Sequence, residues 1–313
     1  MSYEKAKRRL QDGEILILDG GTGTELERRG VAMSEDAWCG PATLDNVNVL
    51  EAIHRDYISA GADIITANTF ASSRLMLAKA GVADRFDEIN KTAVATALNA
   101  RQVSGRDDIL VAGSLSHMNP VRSGTAQTDQ MQAASRDEMT DAFSELALLL
   151  RDEGCDLILL EMMYDPERMQ PAFAAAAETG LPIWAGFSAR SSEDGTILSF
   201  KQDTEIPFED IVGILKEFDV DAAGIMHTPS NLITDALNIV RSVYSGHLTA
   251  YPDSGYFKMP HWQFENVITP DDFLTFARQW AGSGAQVIGG CCGLSPEHIA
   301  ALKPLRQHMQ KQA

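Results

Sequence analysis

Short β-prone runs alternate with longer stretches of helical periodicity along the whole 313-residue chain. The runs fall at residues 15–18, 63–67, 109–112, 156–160, 183–187, 222–225, 248–251 and 286–288. Between them, apolar residues recur three or four positions apart. Leu50, Ile53, Tyr57 and Ala60 follow Asp45 or Asn46, either of which can cap a helix. Phe143, Leu146, Leu149 and Leu150 precede Gly154, a helix stop. A strand followed each time by a helical crossover pairs in parallel with its neighbour. No Pro/Gly/Ser-rich linker divides the eight units. The expectation is therefore α/β: a single (β/α)8 TIM barrel over residues 1–313, not two doubly wound halves.

In such a barrel chemistry belongs at the C-terminal ends of the strands. Those positions are Asp19, Asn68, Ser114, Glu161, Ser188, His227, Asp253 and the pair Cys291/Cys292. They are polar and metal-capable almost all round the ring. The net charge of −18 argues against nucleic acid, whose phosphates such a surface repels. The longest apolar runs, such as residues 157–160, fall far short of the ~20 residues that span a bilayer. No apolar stretch follows the Lys5–Arg9 charges, which read as the solvated face of a first helix, so the cytosol is the expected compartment. The four cysteines do not form a secreted disulfide framework, and Cys39 and Cys155 read as incidental. Exterior helix faces are not distinctive enough to name an oligomer.

The most specific stretch is residues 287–293, Val-Ile-Gly-Gly-Cys-Cys-Gly. Neighbouring side chains on a strand point to opposite faces, so Cys291 and Cys292 reach one ion only where the backbone turns sharply. Gly289, Gly290 and Gly293 supply that freedom. Two thiolates and a nitrogen suit a catalytic Zn2+, which takes three protein ligands and keeps one position open. His227 is the candidate third ligand. The alternatives are a buried cysteine pair in a Gly-rich turn, or a phosphate loop, which explains the glycines but not the thiols.

Asp19-Gly-Gly-Thr-Gly-Thr-Glu25 follows the first strand. It departs from a dinucleotide fingerprint at Leu26, where the third glycine belongs. One reading sets Asp19 and the Gly20 or Gly21 backbone against a small zwitterion; the other is a strand-to-helix turn capped by Thr24. Glu161 ends an apolar interior strand and faces either substrate or a salt-bridge partner. Asp253, in Tyr251-Pro-Asp-Ser-Gly255, sits where substrate contacts are expected. The absence of Gly-x-Ser-x-Gly excludes a nucleophile elbow, and no lysine sits at a strand end to form a Schiff base.

Together these residues resemble the homocysteine S-methyltransferase family, zinc barrels that methylate a thiol amino acid. The resemblance runs from about Leu18 to Leu302. It rests on residues 19–26, 60–70, Gly113-Ser114, Leu160-Glu161, 251–255 and above all Gly289-Gly-Cys-Cys-Gly293. It implies that Cys291 and Cys292 bind zinc with a third ligand from strand six, and that Asp19 and Glu161 hold the amino acid. Three positions depart from the family pattern. Met226-His227-Thr228 stands for Asn-Cys-Thr, Asp253 replaces an asparagine, and Leu115-Ser116-His117 replaces Gly-Pro after Gly-Ser.

A free thiol is mostly protonated at neutral pH, and a thiolate on Zn2+ needs no general base. The implied reaction passes a methyl group from a cationic donor, S-methylmethionine or S-adenosylmethionine, to homocysteine. Carboxylates and aromatic faces favour such a cation, and Asp253, Tyr251, Phe187 and Trp262 are the candidates. Asn68 and Gly20 join Asp19, Glu161 and Asp253 as expected substrate contacts. A neutral histidine in place of a thiolate leaves one fewer negative charge on the site, predicting slower transfer. The departures also motivate a demethylase of another methylated cation, such as a betaine, with His117 a possible further ligand. A non-catalytic binding barrel with a degenerate metal site is the reading from another class.

Overall fold

The structure is a computed structural model that describes residues 3–129 and 133–308. Its strands are β1 (Leu16–Ile17), β2 (Ile64–Thr66), β3 (Leu110–Ser116), β4 (Leu157–Met163), β5 (Ile183–Phe187), β6 (Ala189–Ser191), β7 (Ile197–Ser199), β8 (Ala222–Pro229), β9 (His247–Asp253), β10 (Tyr256–Lys258), β11 (His261–Gln263) and β12 (Ala285–Ile288). Eight of them form one parallel sheet in the order β1-β12-β9-β8-β5-β4-β3-β2. A parallel bridge between Leu18 and Ile64 joins the two edges, so the sheet closes on itself. Every expected strand is present, and the (β/α)8 architecture holds.

Alternation along the strands sorts side chains into two cores. Leu16, Leu18, Leu110, Ala112, Leu157 and Leu159 point into the lumen. Ile15, Ile17, Val111, Ile158 and Leu160 point outward under the helices. The N-terminal mouth is plugged by the helix Tyr3–Gln11, whose Ala6 and Leu10 join the lumen cluster. Tyr3 accepts a 2.8 Å hydrogen bond from Nε1 of the fully buried Trp184. The opposite end is left for chemistry.

Most differences from expectation lie at that end. β3, β4, β8 and β9 run past their apolar stretches to Ser116, Met163, Pro229 and Asp253. Their last residues pair in the ladder although a serine, a methionine, a proline and an aspartate carry little β signal. Two antiparallel hairpins, β6–β7 and β10–β11, rise from the loops after β5 and β9. Three-residue strands show no readable alternation, and the sequence does not announce them. The helix after Asp19 starts at Thr22 with Gly21 in the capping position, so Thr24 is not the cap. Nor does Asn46 cap the helix Val47–Ala60; its side-chain amide donates to the Ala42 carbonyl at 3.0 Å. Gly154, at φ +94°, follows the end of the helix Arg136–Asp152 as expected. No described helix is long and apolar enough to cross a membrane.

Candidate active site

The turn after β12 is tied to both neighbouring strand ends. Gly290 N–H donates to Asp19 O at 2.9 Å and Cys291 N–H to Pro252 O at 2.8 Å, while Ser254 N–H donates to Cys292 O at 2.9 Å. Thr24 stitches the first loop to the last: its hydroxyl accepts from Gly293 N–H at 3.0 Å and donates to Gly21 O at 3.0 Å. Gly293 has φ +82°, and a Cβ there would lie 1.9 Å from the Ser254 carbonyl oxygen. The close approach, as much as the turn, requires glycine.

This turn presents both thiols to one point. Cys291 and Cys292 Sγ are 3.8 Å apart, and His227 Nδ1 lies 3.7 Å from Cys291 Sγ. All three donor atoms fall within 4.8 Å of one another. Two sulfurs each ~2.3 Å from a tetrahedral Zn2+ would stand about 3.8 Å apart, so the spacing fits that ion. His227 reaches the cluster from a left-handed backbone, φ +42°, a conformation costing roughly 1–3 kcal/mol that persists where surrounding structure enforces it. Its ring sits edge-on between Phe200 and Trp262, with centroids 5.4 and 5.7 Å away.

The surroundings draw positive charge to this point. Burial opposes protonation of His227, yet Asp253, with Oδ2 3.8 Å from Nε2, and Cys291 outweigh it and pull its pKa up to about 9. Cys292 and burial push the Cys291 thiol well above its ordinary range. Asp253 Oδ1 is buried without a hydrogen-bond partner among the described residues. Such a set favours a bound cation, and His227, Cys291 and Cys292 could hold a metal with Asp253 behind the imidazole, a common outer-shell partner for a ligating histidine.

Beside the thiols lie two buried carboxylates. Asp19 accepts from Thr66 N–H at 2.7 Å and from the Thr66 hydroxyl at 2.9 Å. Glu161 accepts a short hydrogen bond from Ser114. Burial raises both pKa values to about 7. A cationic group arriving there would favour their ionised forms. Gly20 lines the same space, and a Cβ on it would meet the Leu294 carbonyl oxygen at 2.3 Å and the Tyr57 hydroxyl at 2.8 Å. Asn68 also lines it, but its amide group is engaged, donating to Cys39 O and Thr43 Oγ1, each at 3.0 Å. Only its carbonyl oxygen remains for a ligand.

These groups share a cavity of about 350 Å3. Trp262 and Tyr251 line it as expected; Phe187 does not, and instead stacks on Phe173 behind the sheet, centroids 6.2 Å apart. β5 ends at Phe187 with that ring on the outward face, a parity the rim reading mistook. His117 stands in the cavity wall outside the three-donor cluster, its Nε2 accepting Tyr164 N–H at 3.1 Å. Its Nε2 is thus engaged by the backbone, and His117 is not among the three grouped donors. Ser188 is also turned away, its hydroxyl 3.4 Å from Met162 Sδ. Cys39 is not incidental in position: it lines the cavity, with burial raising its thiol pKa. Trp38, Phe70, Tyr164, Arg168, Phe200 and Phe257 line it as well and come from loops, hairpins and one helix start. Period-based reading has no register there; the only available signal was clustered aromatics in long connections.

A family model described as homocysteine S-methyltransferase matches residues 16–305. Homocysteine S-methyltransferase 2 of Zea mays is 28% identical over 96% of this chain and 93% of its own length. Homocysteine S-methyltransferase of Escherichia coli is 28% identical over 97% and 99%. The crystal structure of the E. coli homocysteine methyltransferase MmuM in its metallated form superposes with a TM-score of 0.73 at 25% identity, covering 95% of this chain and 98% of that one. A match over nearly the full barrel, including the first-strand motif and the double-cysteine turn, establishes that the chain belongs to the homocysteine S-methyltransferase family.

Proposed function

We propose that the chain transfers a methyl group from a sulfonium donor, S-methylmethionine or S-adenosylmethionine, to the sulfur of homocysteine, giving methionine. The observation that carries this reading is the placing of His227, Cys291 and Cys292 in one cavity with Asp19 and Glu161. His227, Cys291 and Cys292 would hold a Zn2+, which would supply the Lewis acidity that ionises a thiol at neutral pH. Asp19 and Glu161 receive the ammonium of the amino acid, with the Asn68 carbonyl oxygen and Gly20 beside them. Asp253 orients and polarises the His227 ring. The aromatic walls exclude water and favour a methylated cation. In the transfer, the donor S–CH3 bond breaks as the new S–C bond forms at homocysteine. The donor leaves as a neutral sulfide, and the sulfonium charge is cancelled by the thiolate. The chain supplies mainly position, holding the two reactants in line. A cytosolic setting fits the reduced thiols that the site requires.

The same walls fit any methylated cation, so demethylation of a betaine stands as the second reading. The close approach of His227 to both thiols argues against a degenerate, non-catalytic barrel. One assay separates all three: homocysteine with S-methylmethionine, S-adenosylmethionine or glycine betaine, with and without chelator, read as methionine formed. Methionine from a sulfonium donor, abolished by chelator and restored by Zn2+, is expected. Turnover of the betaine alone would establish the second reading. Zinc-loaded protein inert to every donor would overturn methyl transfer.

A further inference from the structure

The cavity that holds the two carboxylates also has a guanidinium in its wall. Arg168 stands in the first turn of the helix Pro166–Glu178 and lines the cavity with a side chain only 11% exposed. Its Nε lies 3.4 Å from Asp165 Oδ2, and its Nη2 donates to Thr128 Oγ1 at 3.0 Å. Its Nη1 has no partner among the described residues. Asp165 is itself buried, accepts the capping hydrogen bond of that helix from Glu167 N–H, and is shared with Lys201 Nζ at 3.1 Å. Asp165 is thus shared by two cations, of which Arg168 lines the cavity.

Between this wall and the thiols runs a strip of rings. Tyr164 and Phe200 meet edge-on with centroids 5.5 Å apart, and Phe200 meets His227 at 5.4 Å. The ring contacts lead from Tyr164 through Phe200 to His227 at the sulfur-binding point, and Arg168, Asp19 and Glu161 line the same cavity. An onium centre is held by ring faces and a carboxylate by a guanidinium, whose planar fork favours bidentate contact. On the proposed function the amino-acid acceptor already has Asp19 and Glu161 for its ammonium. We propose that Arg168 is the carboxylate anchor of the donor subsite, selecting a methyl donor that carries a carboxylate as well as its methylated cation. Asp165 and Thr128 position the guanidinium so that Nη1 meets the ligand. The proposal rests on the methyl-transfer reading, and its test is built to fail separately.

The probe pair is S-methylmethionine and its carboxamide, identical except that the carboxylate is neutral. In zinc-loaded wild type, S-methylmethionine should bind ten- to a hundredfold more tightly than the amide by calorimetric titration, the range expected for a charge-assisted hydrogen bond pair. In Arg168→Met that preference should disappear, and Arg168→Lys should recover part of it. In turnover, the loss should fall on the KM for S-methylmethionine and not on the KM for homocysteine. Zinc content and thermal midpoint identify a misfolded variant, and the wild-type comparison decides without one. Equal wild-type affinity for the two probes overturns the proposal. So does a rise confined to the homocysteine KM, which would assign Arg168 to the acceptor. If no donor is turned over, methyl transfer falls while the titration still decides the anchor.

Discussion

Replacing Asp19 with Asn should stabilise the metal-free protein at alkaline pH while removing activity. Asp19 is 1% exposed, and burial lifts its pKa from 3.8 to about 7 despite two hydrogen bonds from Thr66. A carboxyl whose pKa is raised by folding contributes most to stability below its unfolded pKa and loses that contribution as pH rises through the folded value. Each pKa unit is worth 1.36 kcal/mol, so ionising Asp19 in the folded chain costs about 4 kcal/mol relative to the unfolded chain. Asn keeps both contacts, because its oxygen accepts Thr66 N–H and its amide donates to a hydroxyl free to rotate. The stability difference should therefore be near zero at pH 4 and grow toward about 4 kcal/mol by pH 8. Urea unfolding of both proteins in chelator, followed from pH 4 to 8.5, measures it without a metal charge in the site. Homocysteine methylation by the zinc-loaded variant should fall at least about tenfold, the loss of roughly 1.4 kcal/mol of ammonium binding. A variant no more stable than wild type at pH 8, or a difference independent of pH, refutes the argument that burial of this carboxylate is maintained for substrate.

Two further outcomes follow from other groups. His227→Cys restores a third thiolate and should retain zinc while raising kcat by up to about tenfold, read by metal analysis alongside turnover; loss of a metal that wild type keeps would remove His227 from the ligand set. His54 is fully buried, both ring nitrogens lack hydrogen-bond partners among the described residues, and burial lowers its pKa from 6.5 to about 4. Its neutral form contributes stability above pH 6.5 that is lost as pH falls toward 4, by up to about 3 kcal/mol. His54→Leu should flatten urea-unfolding stability across that window and add about 1–3 kcal/mol at pH 7 by removing unpaired polar atoms; an unaltered acid profile counts against it.

What could be read from the residues was whatever strand periodicity and side-chain chemistry carry. The barrel strands were visible because runs such as residues 157–160 are continuously apolar, as a strand covered on both faces must be. Cys291, Cys292 and His227 were legible together because few other chemistries ask for adjacent thiols between glycines. The cavity wall was not. Phe200, Phe257 and Trp38 lie in hairpins and connections, where no repeat says which way a side chain points. Phe187 shows the limit from the other side: its strand was assigned to the correct residues, yet a one-residue change of parity sends its ring to the outer core. His117 could not be placed either, because its nitrogen is claimed by a backbone amide one strand away.

The stitch between the first and last loops has a consequence for how the chain comes into being. Asp19 and Thr24 hold the turn that carries Cys291 and Cys292, and the Leu18–Ile64 bridge closes the sheet beside them. The Asp19 and Thr24 bonds join segments more than 265 residues apart. During synthesis, a nascent chain can complete nearly every strand–helix unit before this turn is shaped, since the shaping bonds form only when the last strand pairs with the first. Pairing of β12 with β1 is the most non-local step of the barrel, so the proposed metal would have its three donors together only after the rest of the sheet is built.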